Sequence, residues 1–300
     1  LASFFLCFHY GVEFKGGRSY NVAFEKPVKS DDVRAGLSAA FGENPTIKTI
    51  GDDKHLNIIT SYMKGVENAD RQVQQKLFEG LKTALPAGLT YEQFSAGTKY
   101  VVGRTTVQPT ISDDLKRGAV KATIFSMLII FLYIFIRFRD WRYSLGTIFT
   151  LLHDVLVTLF VFSFFKEIVP FTLEIDQHFI AAVLTVIGFS MNDTVIVFDR
   201  IREYSRDRKG LSKHDLVNAA LNDTLSRTIM TSFTVFLTIL ILFIFGGEVT
   251  RGFAFAMLIG VITGTYSSIF VGAPVLVDFA KDKPLGAAKE VRKKVKAPSL

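Results

Sequence analysis

The stretch Ile187–Tyr204 reads IGFSMNDTVIVFDRIREY and indicates the fold class of this 300-residue chain. Asn192 and Asp193 stand inside a run that is otherwise apolar enough to cross a bilayer. A charged carboxylate inside a membrane costs at least ~2.5 kcal/mol, so it is seldom retained for packing alone. The run ends in a charged cluster at 199–203, which marks an aqueous boundary. The stretch therefore predicts a membrane helix with a functional carboxylate, as transporters have.

The composition is also that of a membrane protein. Hydrophobic residues make up 49% of the chain and the mean hydropathy is +0.31, above the usual values of a soluble domain. The formal net charge is +7, but the basic residues gather in short loops. This arrangement favours contact with anionic lipid and predicts no nucleic-acid partner. The single cysteine, Cys7, excludes an internal disulfide and a Cys-based metal site.

Five long apolar segments follow a more polar first third of the chain. Each is close to the ~20 residues that cross a bilayer, and they lie at 118–136, 144–165, 178–198, 228–246 and 252–279. A shorter apolar run at 1–9 is expected to be the remnant of a truncated first transmembrane helix. The prediction is an α-helical polytopic bundle of six helices, five of them complete within 117–280.

Basic residues orient this bundle. They fill the loops after the first and third complete segments and the tail 281–300, and the positive-inside rule places such loops in the cytoplasm. Residues 10–116 then form an exported domain on the opposite side of the membrane.

The exported domain has an α+β pattern. Residues 18–24 alternate as a strand, and Ser30 begins a helix with apolar residues at helical spacing. The further expected elements are strands at 46–50 and 55–60, a helix at 69–85 and a last strand near 91–95. The order β-α-β-β-α-β predicts the split, ferredoxin-like arrangement.

The second complete span carries a further polar pair, His153 and Asp154. Its helix runs antiparallel to that of Asp193, so the two carboxyl groups are expected at similar depths, about 10–15 Å from the cytoplasmic end. These residues, together with Asn192, are candidates for a proton relay. The alternative is interhelical hydrogen bonding that only fixes helix packing.

Arg227 opens the fourth complete span. It is either a snorkelling anchor at the membrane surface or a counter-charge to a buried carboxylate. The preceding segment, 211–227, begins with Ser212 and Asp215 as a helix cap and has a partly apolar face. We expect it to lie along the membrane surface.

The last span carries small residues at every fourth position: Ala256, Gly260, Gly264, Ser268 and Gly272. Such a row allows another helix to approach closely, so it predicts a packing seam; a sliding surface is the alternative. Pro274 is expected to kink this helix near its inner end.

Several motifs, in this order along the chain, resemble the SecD/SecF family of protein-export membrane proteins, and its SecF members in particular. This family is part of the resistance-nodulation-division superfamily. The motifs are Gly11-Val-Glu13-Phe14-Lys-Gly16-Gly17, His153-Asp154, Asn192-Asp193-Thr194 with Phe198-Asp199-Arg200, Thr224 to Thr228, and Gly264 to Ser268.

The resemblance implies an accessory subunit of the Sec translocase in the bacterial inner membrane, without enzymatic activity. It would use the proton gradient, and no cofactor, to promote translocation and release of preproteins at the outer face. The family role in proton movement maps to Asp193 and Arg227. Implied partners are SecD, the SecYEG channel, YajC and YidC, preprotein chains at the exported domain, and lipid. The truncated first helix fits a shortened SecF or the C-terminal half of a SecD–SecF fusion.

Three rival functions remain open at this stage. A proton-driven exporter of drugs or lipids from the same superfamily would share the mechanism. An intramembrane aspartyl protease would use Asp154 and Asp193 as a carboxylate pair, but the sequence motifs of such proteases are absent. A structural scaffold of the translocon would not need the charge of Asp193 or Arg227.

Overall fold

The computed structural model describes residues 10–50, 53–66, 68–96, 99–107, 109–166, 168–169, 171, 173–208, 210–280 and 285. The predicted helix remnant at 1–9 and, apart from Leu285, the basic tail at 281–300 lie outside these residues. The elements are α1 Val12–Lys15, β1 Gly17–Ala23, α2 Ser30–Phe41, β2 Thr46–Thr49, β3 His55–Thr60, α3 Asp70–Leu81, α4 Tyr91–Ser95, β4 Val101–Val107, α5 Pro109–Phe138, α6 Trp141–Phe165, α7 Gln177–Asp207, α8 Lys213–Phe245, α9 Glu248–Ser267, a π-helical turn Ser268–Gly272, and α10 Ala273–Ala280.

The chain divides into two compact units. The first unit comprises residues 1–124, 158–184 and 237–259, and so contains the sheet domain with the parts of the long helices that adjoin it. The second unit comprises residues 125–157, 185–236 and 260–300, and the regular secondary structure of its described residues is entirely helical.

The sheet of the first unit has four antiparallel strands in the order β2-β3-β1-β4. Residues at alternate positions of β1 and β3, including Tyr20, Val22, Leu56 and Ile58, are buried on one face of this sheet. Burial raises the pKa of the Tyr20 phenol to about 12, so its hydroxyl is neutral at physiological pH.

Helices α2 and α3 cover the buried face of the sheet. Val33, Leu37, Val73 and Leu77 supply apolar side chains to the shared core. The two helices approach so closely that a Cβ added at Gly36 would lie 2.4 Å from the Gly80 carbonyl oxygen. A larger residue at position 36 would therefore force the helices apart.

The strand predicted near 91–95 is wrong, because Tyr91–Ser95 is a helix. Thr90 and Gln93 form a reciprocal capping box at its start, and Phe94 is fully buried in the domain core. The fourth strand follows instead at Val101–Val107, where five of the seven residues are β-branched valine or threonine. The pairing of β4 with β1 places this strand at the edge of the sheet.

The prediction of five complete membrane segments is confirmed. Among the described residues, five helices are long and apolar enough to span a membrane: Ile111–Phe138, Trp141–Phe165, Gln177–Asp207, Lys213–Phe245 and Thr250–Ala280. The chain is therefore a multi-pass membrane protein. A sixth helix at the N-terminus falls on residues outside the described part.

Two of these helices differ from their predicted form. The segment 211–227 is not a separate surface helix, because α8 runs without a break from Lys213 to Phe245. Ser212 caps it by accepting a hydrogen bond from the Asp215 amide. The last span contains the π-helical turn Ser268–Gly272 immediately before Pro274. A proline removes a backbone donor from a helix, and the turn with wider hydrogen bonding lies directly N-terminal to Ala273 and Pro274.

Candidate functional site: buried carboxylates among membrane helices

Asp193 on α7 is completely buried in the second unit. The Ser232 hydroxyl on α8 donates to Asp193 Oδ2 over 3.3 Å, and the Thr265 hydroxyl on α9 donates to Ser232 Oγ over 2.6 Å. The other carboxylate oxygen, Asp193 Oδ1, is buried without a hydrogen-bond partner in the described part of the chain. Asp193 is thus held by a chain of hydroxyl groups from two neighbouring helices.

Ser232 and Thr265 each have one hydroxyl proton but two acceptors within hydrogen-bonding distance. Ser232 also lies 2.9 Å from the Thr228 carbonyl, and Thr265 lies 2.8 Å from the Val261 carbonyl. A hydroxyl has one proton, so Ser232 cannot donate to Asp193 and to Thr228 at once. A protonated Asp193 would donate to Ser232 Oγ and leave the serine proton for the Thr228 carbonyl. The hydroxyl positions therefore suit both a charged and a protonated Asp193, with no rearrangement of the backbone.

Asp154 on α6 is also completely buried, but it is better supplied with donors. The hydroxyls of Ser190 and Ser267 donate to Asp154 Oδ2 over 2.5 and 2.9 Å, and His153 Nδ1 lies 3.0 Å from Oδ1. The His153 ring is partly exposed and faces Tyr266, with ring centroids 5.9 Å apart. Asp154 therefore links α6, α7 and the last span.

The two carboxyl groups are related through α7. Ser190, which binds Asp154, precedes Asp193 by three residues, so the two binding positions lie ~4.5 Å apart along the helix axis. No hydrogen bond joins the carboxyl groups to each other among the residues that the structure describes. Two acids that share a proton would need such a contact, so this arrangement does not favour a protease.

Arg227 and Asn192 lie apart from the hydroxyl chain. Both are exposed, and within the described residues no ion pair joins Arg227 to Asp193 or to another acid. Arg227 precedes Ser232 by five residues on α8 and the Thr231 hydroxyl donates to its carbonyl oxygen. Arg227 is thus not in direct contact with Asp193 in this arrangement, but its charge acts on that carboxylate through space.

The small-residue stripe of the last span is buried at all five positions: Ala256, Gly260, Gly264, Ser268 and Gly272. A Cβ added at Gly260 would lie 2.1 Å from Val186 Cγ2, and one at Gly264 would lie 3.0 Å from Ser190 Cβ. A Cβ at Gly272 would approach Thr150 Cγ2 to 2.8 Å. These close approaches bring Ser267 and Thr265 within hydrogen-bonding distance of their partners.

The charged end of α7 forms an ion-pair network. Asp199 binds Arg137 over 2.9 Å, and Arg200 binds both Glu203 and Asp223. The Tyr204 hydroxyl also donates to Asp223. Asp199 and Arg200 therefore connect the ends of α5, α7 and α8 rather than contribute to the buried carboxylate site.

The glycine-rich motif at 11–17 has a structural role in the first unit. The Gly11 amide donates to the Ile175 carbonyl over 3.0 Å, and Phe14 is buried. Gly16 and Gly17 have φ angles of 69° and 138°, which favour glycine. Glu13 lies in the short helix α1 and is partly exposed. The motif leads directly into strand β1 and is fastened to the loop before α7 by the Gly11 hydrogen bond.

The sequence analysis missed the hydroxyl residues that bind the two aspartates. Ser190 and Ser267 bind Asp154, Ser232 binds Asp193, and Thr265 binds Ser232. Serine and threonine often bind the carbonyl one turn earlier in their own helix, so their presence alone does not identify a site. The available signal was their position: Ser190 precedes Asp193 by three residues, and Ser267 and Thr265 adjoin the glycine stripe.

The fold and this site define a class: a multi-pass membrane protein with an α+β domain and buried acids held by hydroxyl groups between its helices. No cluster of metal-binding side chains occurs in the described segments of the chain.

Comparison with known proteins identifies the family. The family model described as "Protein export membrane protein SecD/SecF, C-terminal" matches residues 91–282. The protein translocase subunit SecF of Rhodothermus marinus is 43% identical over 268 residues, which cover 89% of this chain and 82% of that protein. The chain belongs to the SecD/SecF family.

Two longer relatives match this chain over only part of their own length. The protein translocase subunit SecDF of Brucella abortus is 34% identical, and the match covers 91% of this chain and 33% of that protein. The crystal structure of SecDF from Thermus thermophilus, a translocon-associated membrane protein, has a TM-score of 0.74 at 32% identity. That match covers 93% of this chain and 37% of the longer chain.

Proposed function

We propose that this chain is an accessory subunit of the Sec translocase that uses the proton gradient to promote preprotein translocation and release. The family and its named relatives support the translocase role. The proposed location is the bacterial inner membrane, with residues 10–116 outside and the C-terminus in the cytoplasm. The protein catalyses no chemical reaction in this proposal and needs no cofactor besides the gradient.

The proposed partners are SecD, the SecYEG channel with YajC and YidC, and preprotein chains at the exported domain. SecDF relatives, in which both names occur in one chain, support SecD as the partner. A six-helix bundle and a ferredoxin-like exported domain are part of the proposal. The antiparallel sheet order β2-β3-β1-β4 supports the ferredoxin-like assignment.

The observation that carries the proton role is the environment of Asp193. The side chain is fully buried, and Oδ1 has no partner among the described residues. The other oxygen, Oδ2, competes with the Thr228 carbonyl for the single hydroxyl proton of Ser232. A buried acid with so few donors is costly to ionise and is suited to bind and release a proton. In this proposal Arg227 approaches Asp193 in another state and stabilises its charge.

The test is complementation of SecF-depleted cells with Asp193→Asn or Arg227→Ala, while export of a secreted reporter is followed. We expect export to fall at least ~10-fold at normal membrane levels, because the asparagine cannot exchange a proton and the alanine cannot offer a counter-charge. Matched controls on the same chain are Asp207→Asn and Arg206→Ala, which alter exposed residues at the end of α7.

Full export by both site variants would overturn the proton role and favour the scaffold. Collapse of the gradient with an uncoupler gives a second comparison: the wild-type advantage over Asp193→Asn should disappear. A loss that is equal in the site variants and in the controls would instead indicate damage to the membrane bundle.

A further inference from the structure

A cavity of about 800 Å³ lies in the first unit, where the sheet domain adjoins the membrane helices. Its apolar wall includes Phe14 and Ile175, which are buried, and Val120 and Ile180 from α5 and α7. The volume is within the ~300–1,000 Å³ range of small-molecule sites. None of the carboxylate-site residues described above lines it.

Two lysines give this cavity a positive rim. Lys64 and Lys116 both line it, and both are exposed. Asp113 is the acid paired with Lys116, at 3.6 Å across one turn of α5, and this exposed pair is weak. Ser61 also lines the cavity, but its amide and hydroxyl already bind Glu43. Both lysines carry a positive charge at this rim, which suits an anionic group.

The apolar side of the cavity continues along α5. Val120 is 60% exposed and Ile124, one turn further, is 59% exposed, so the two form an open aliphatic track that begins at the cavity. Val120 and Ile180 stand within the first few residues of the predicted membrane segments 118–136 and 178–198. The cavity is thus at the depth where lipid headgroups meet acyl chains.

We propose that this cavity binds one anionic phospholipid, with its phosphate between Lys64 and Lys116 and an acyl chain along Val120 and Ile124. The combination of a cationic rim, an apolar floor and a hydrocarbon track matches the chemistry of such a lipid at every point. The site is separate from the buried carboxylates, so it stands whether or not the chain uses protons.

The test is native mass spectrometry of the purified full chain during titration with dioleoylphosphatidylglycerol. Each lysine near a membrane surface contributes about fivefold to anionic lipid affinity. We expect the first lipid to bind at least ~10-fold more weakly to Lys64→Gln/Lys116→Gln. The matched control is Arg117→Gln/Lys121→Gln, which removes the same charge from exposed positions of α5 that do not line the cavity.

Equal weakening in both double variants would overturn the proposal, as would no weakening in either. Equal affinity for dioleoylphosphatidylcholine would also overturn it, because that lipid has no net charge. Lys64→Arg/Lys116→Arg should retain binding and so separates loss of charge from loss of folding.

A second measurement leaves both lysines in place. Trp141 is the single tryptophan of the chain, so Trp141→Phe with Tyr10→Trp places one fluorophore at the cavity wall. In mixed bilayers, dibrominated phosphatidylglycerol should quench this tryptophan more strongly than dibrominated phosphatidylcholine at the same fraction. Equal quenching by the two lipids would contradict a selective site.

Discussion

Asp154 and Asp193 are both fully buried acids in membrane helices, but their hydrogen bonds differ. Asp154 has two serine hydroxyls and His153 within 3.0 Å, whereas Asp193 has one hydroxyl at 3.3 Å. Donors that point at a carboxylate stabilise its charge. At the scale of the residue, Asp154 is therefore held at a junction of three helices, and Asp193 is the acid to which the proposed change of protonation is assigned.

Ser190→Ala tests the junction role of Asp154. It removes the shorter hydroxyl donor of a buried acid, so we expect a loss of ~1.5–3 kcal/mol in stability. Ser144→Ala is the matched control, because the Ser144 hydroxyl is equally buried on α6 but has no partner in the described structure. Thermal unfolding of the detergent-purified chain should show a lower midpoint for Ser190→Ala alone. Equal midpoints would mean that the 2.5 Å contact contributes little.

The sequence predicted these acids but not their partners. An ionisable group in an apolar run is conspicuous, since its burial is costly. The partners are serines and threonines on helices distant in sequence, such as Ser232 and Ser267, and their identity depends on which helix faces touch. The separation of Arg227 from Asp193 likewise depends on packing. From the sequence, an arginine at a helix end could be either a snorkelling anchor or a counter-charge, and only the packing of the helices distinguishes the two.

At the scale of the element, the last membrane span is built for close contact. Its glycines face Val186 and Ser190 of α7 and Thr150 of α6, and each contact leaves no room for a Cβ without displacement of a neighbour. The spacing by four predicted this seam, because one helix face repeats at that interval. The π-helical turn before Pro274 was not predicted. A proline in the sequence predicts a kink, but it does not indicate which hydrogen bonds the preceding turn will form.

Gly260→Ala tests the seam directly. The added Cβ would lie 2.1 Å from Val186 Cγ2, so we expect overpacking to cost ~1–3 kcal/mol. Val186→Ala in the same chain should restore part of this loss, because it removes the colliding methyl groups. The control is Gly188→Ala on α7, where a Cβ meets nothing within 4 Å. If Gly260→Ala unfolds at the same temperature as Gly188→Ala, the two helices are less closely packed than described.

In the sheet domain, the local chemistry of the chain explains where the prediction of secondary structure failed. The sequence predicts a strand near 91–95, but Thr90 and Gln93 cap a short helix there. The helix moves the fourth strand on to Val101–Val107 without any change in the order of the other elements. A capping box spans only four residues, and a strand-like pattern of the same length can be read from the same stretch. The sequence alone therefore does not decide between a short helix and a short strand.

At the scale of the whole molecule, the first unit joins its sheet domain to the membrane segments through residues far apart in sequence. Lys48 on β2 binds Glu174, in the segment before α7, over 2.9 Å and across 126 positions. The Gly11 amide binds the neighbouring Ile175 carbonyl. The sequence gives no sign of this pair, because a lysine in an edge strand and a glutamate in a loop are both ordinary surface residues.

The Lys48–Glu174 pair should hold the sheet domain in place, because both side chains are largely buried, with 17% and 5% exposed. Lys48→Glu would leave two buried carboxylates in contact, and breaking such a pair costs ~3–5 kcal/mol. We therefore expect faster limited proteolysis near residue 174 of the purified full chain. The exchanged pair Lys48→Glu/Glu174→Lys should recover much of the protection. Lys76→Glu, which breaks an exposed pair with Glu79 on α3, should leave proteolysis unchanged.

If the exchanged pair is cleaved as fast as Lys48→Glu, the ion pair is not what fixes the domain. Normal proteolysis in Lys48→Glu itself would show that the Gly11 contact and the sheet core suffice.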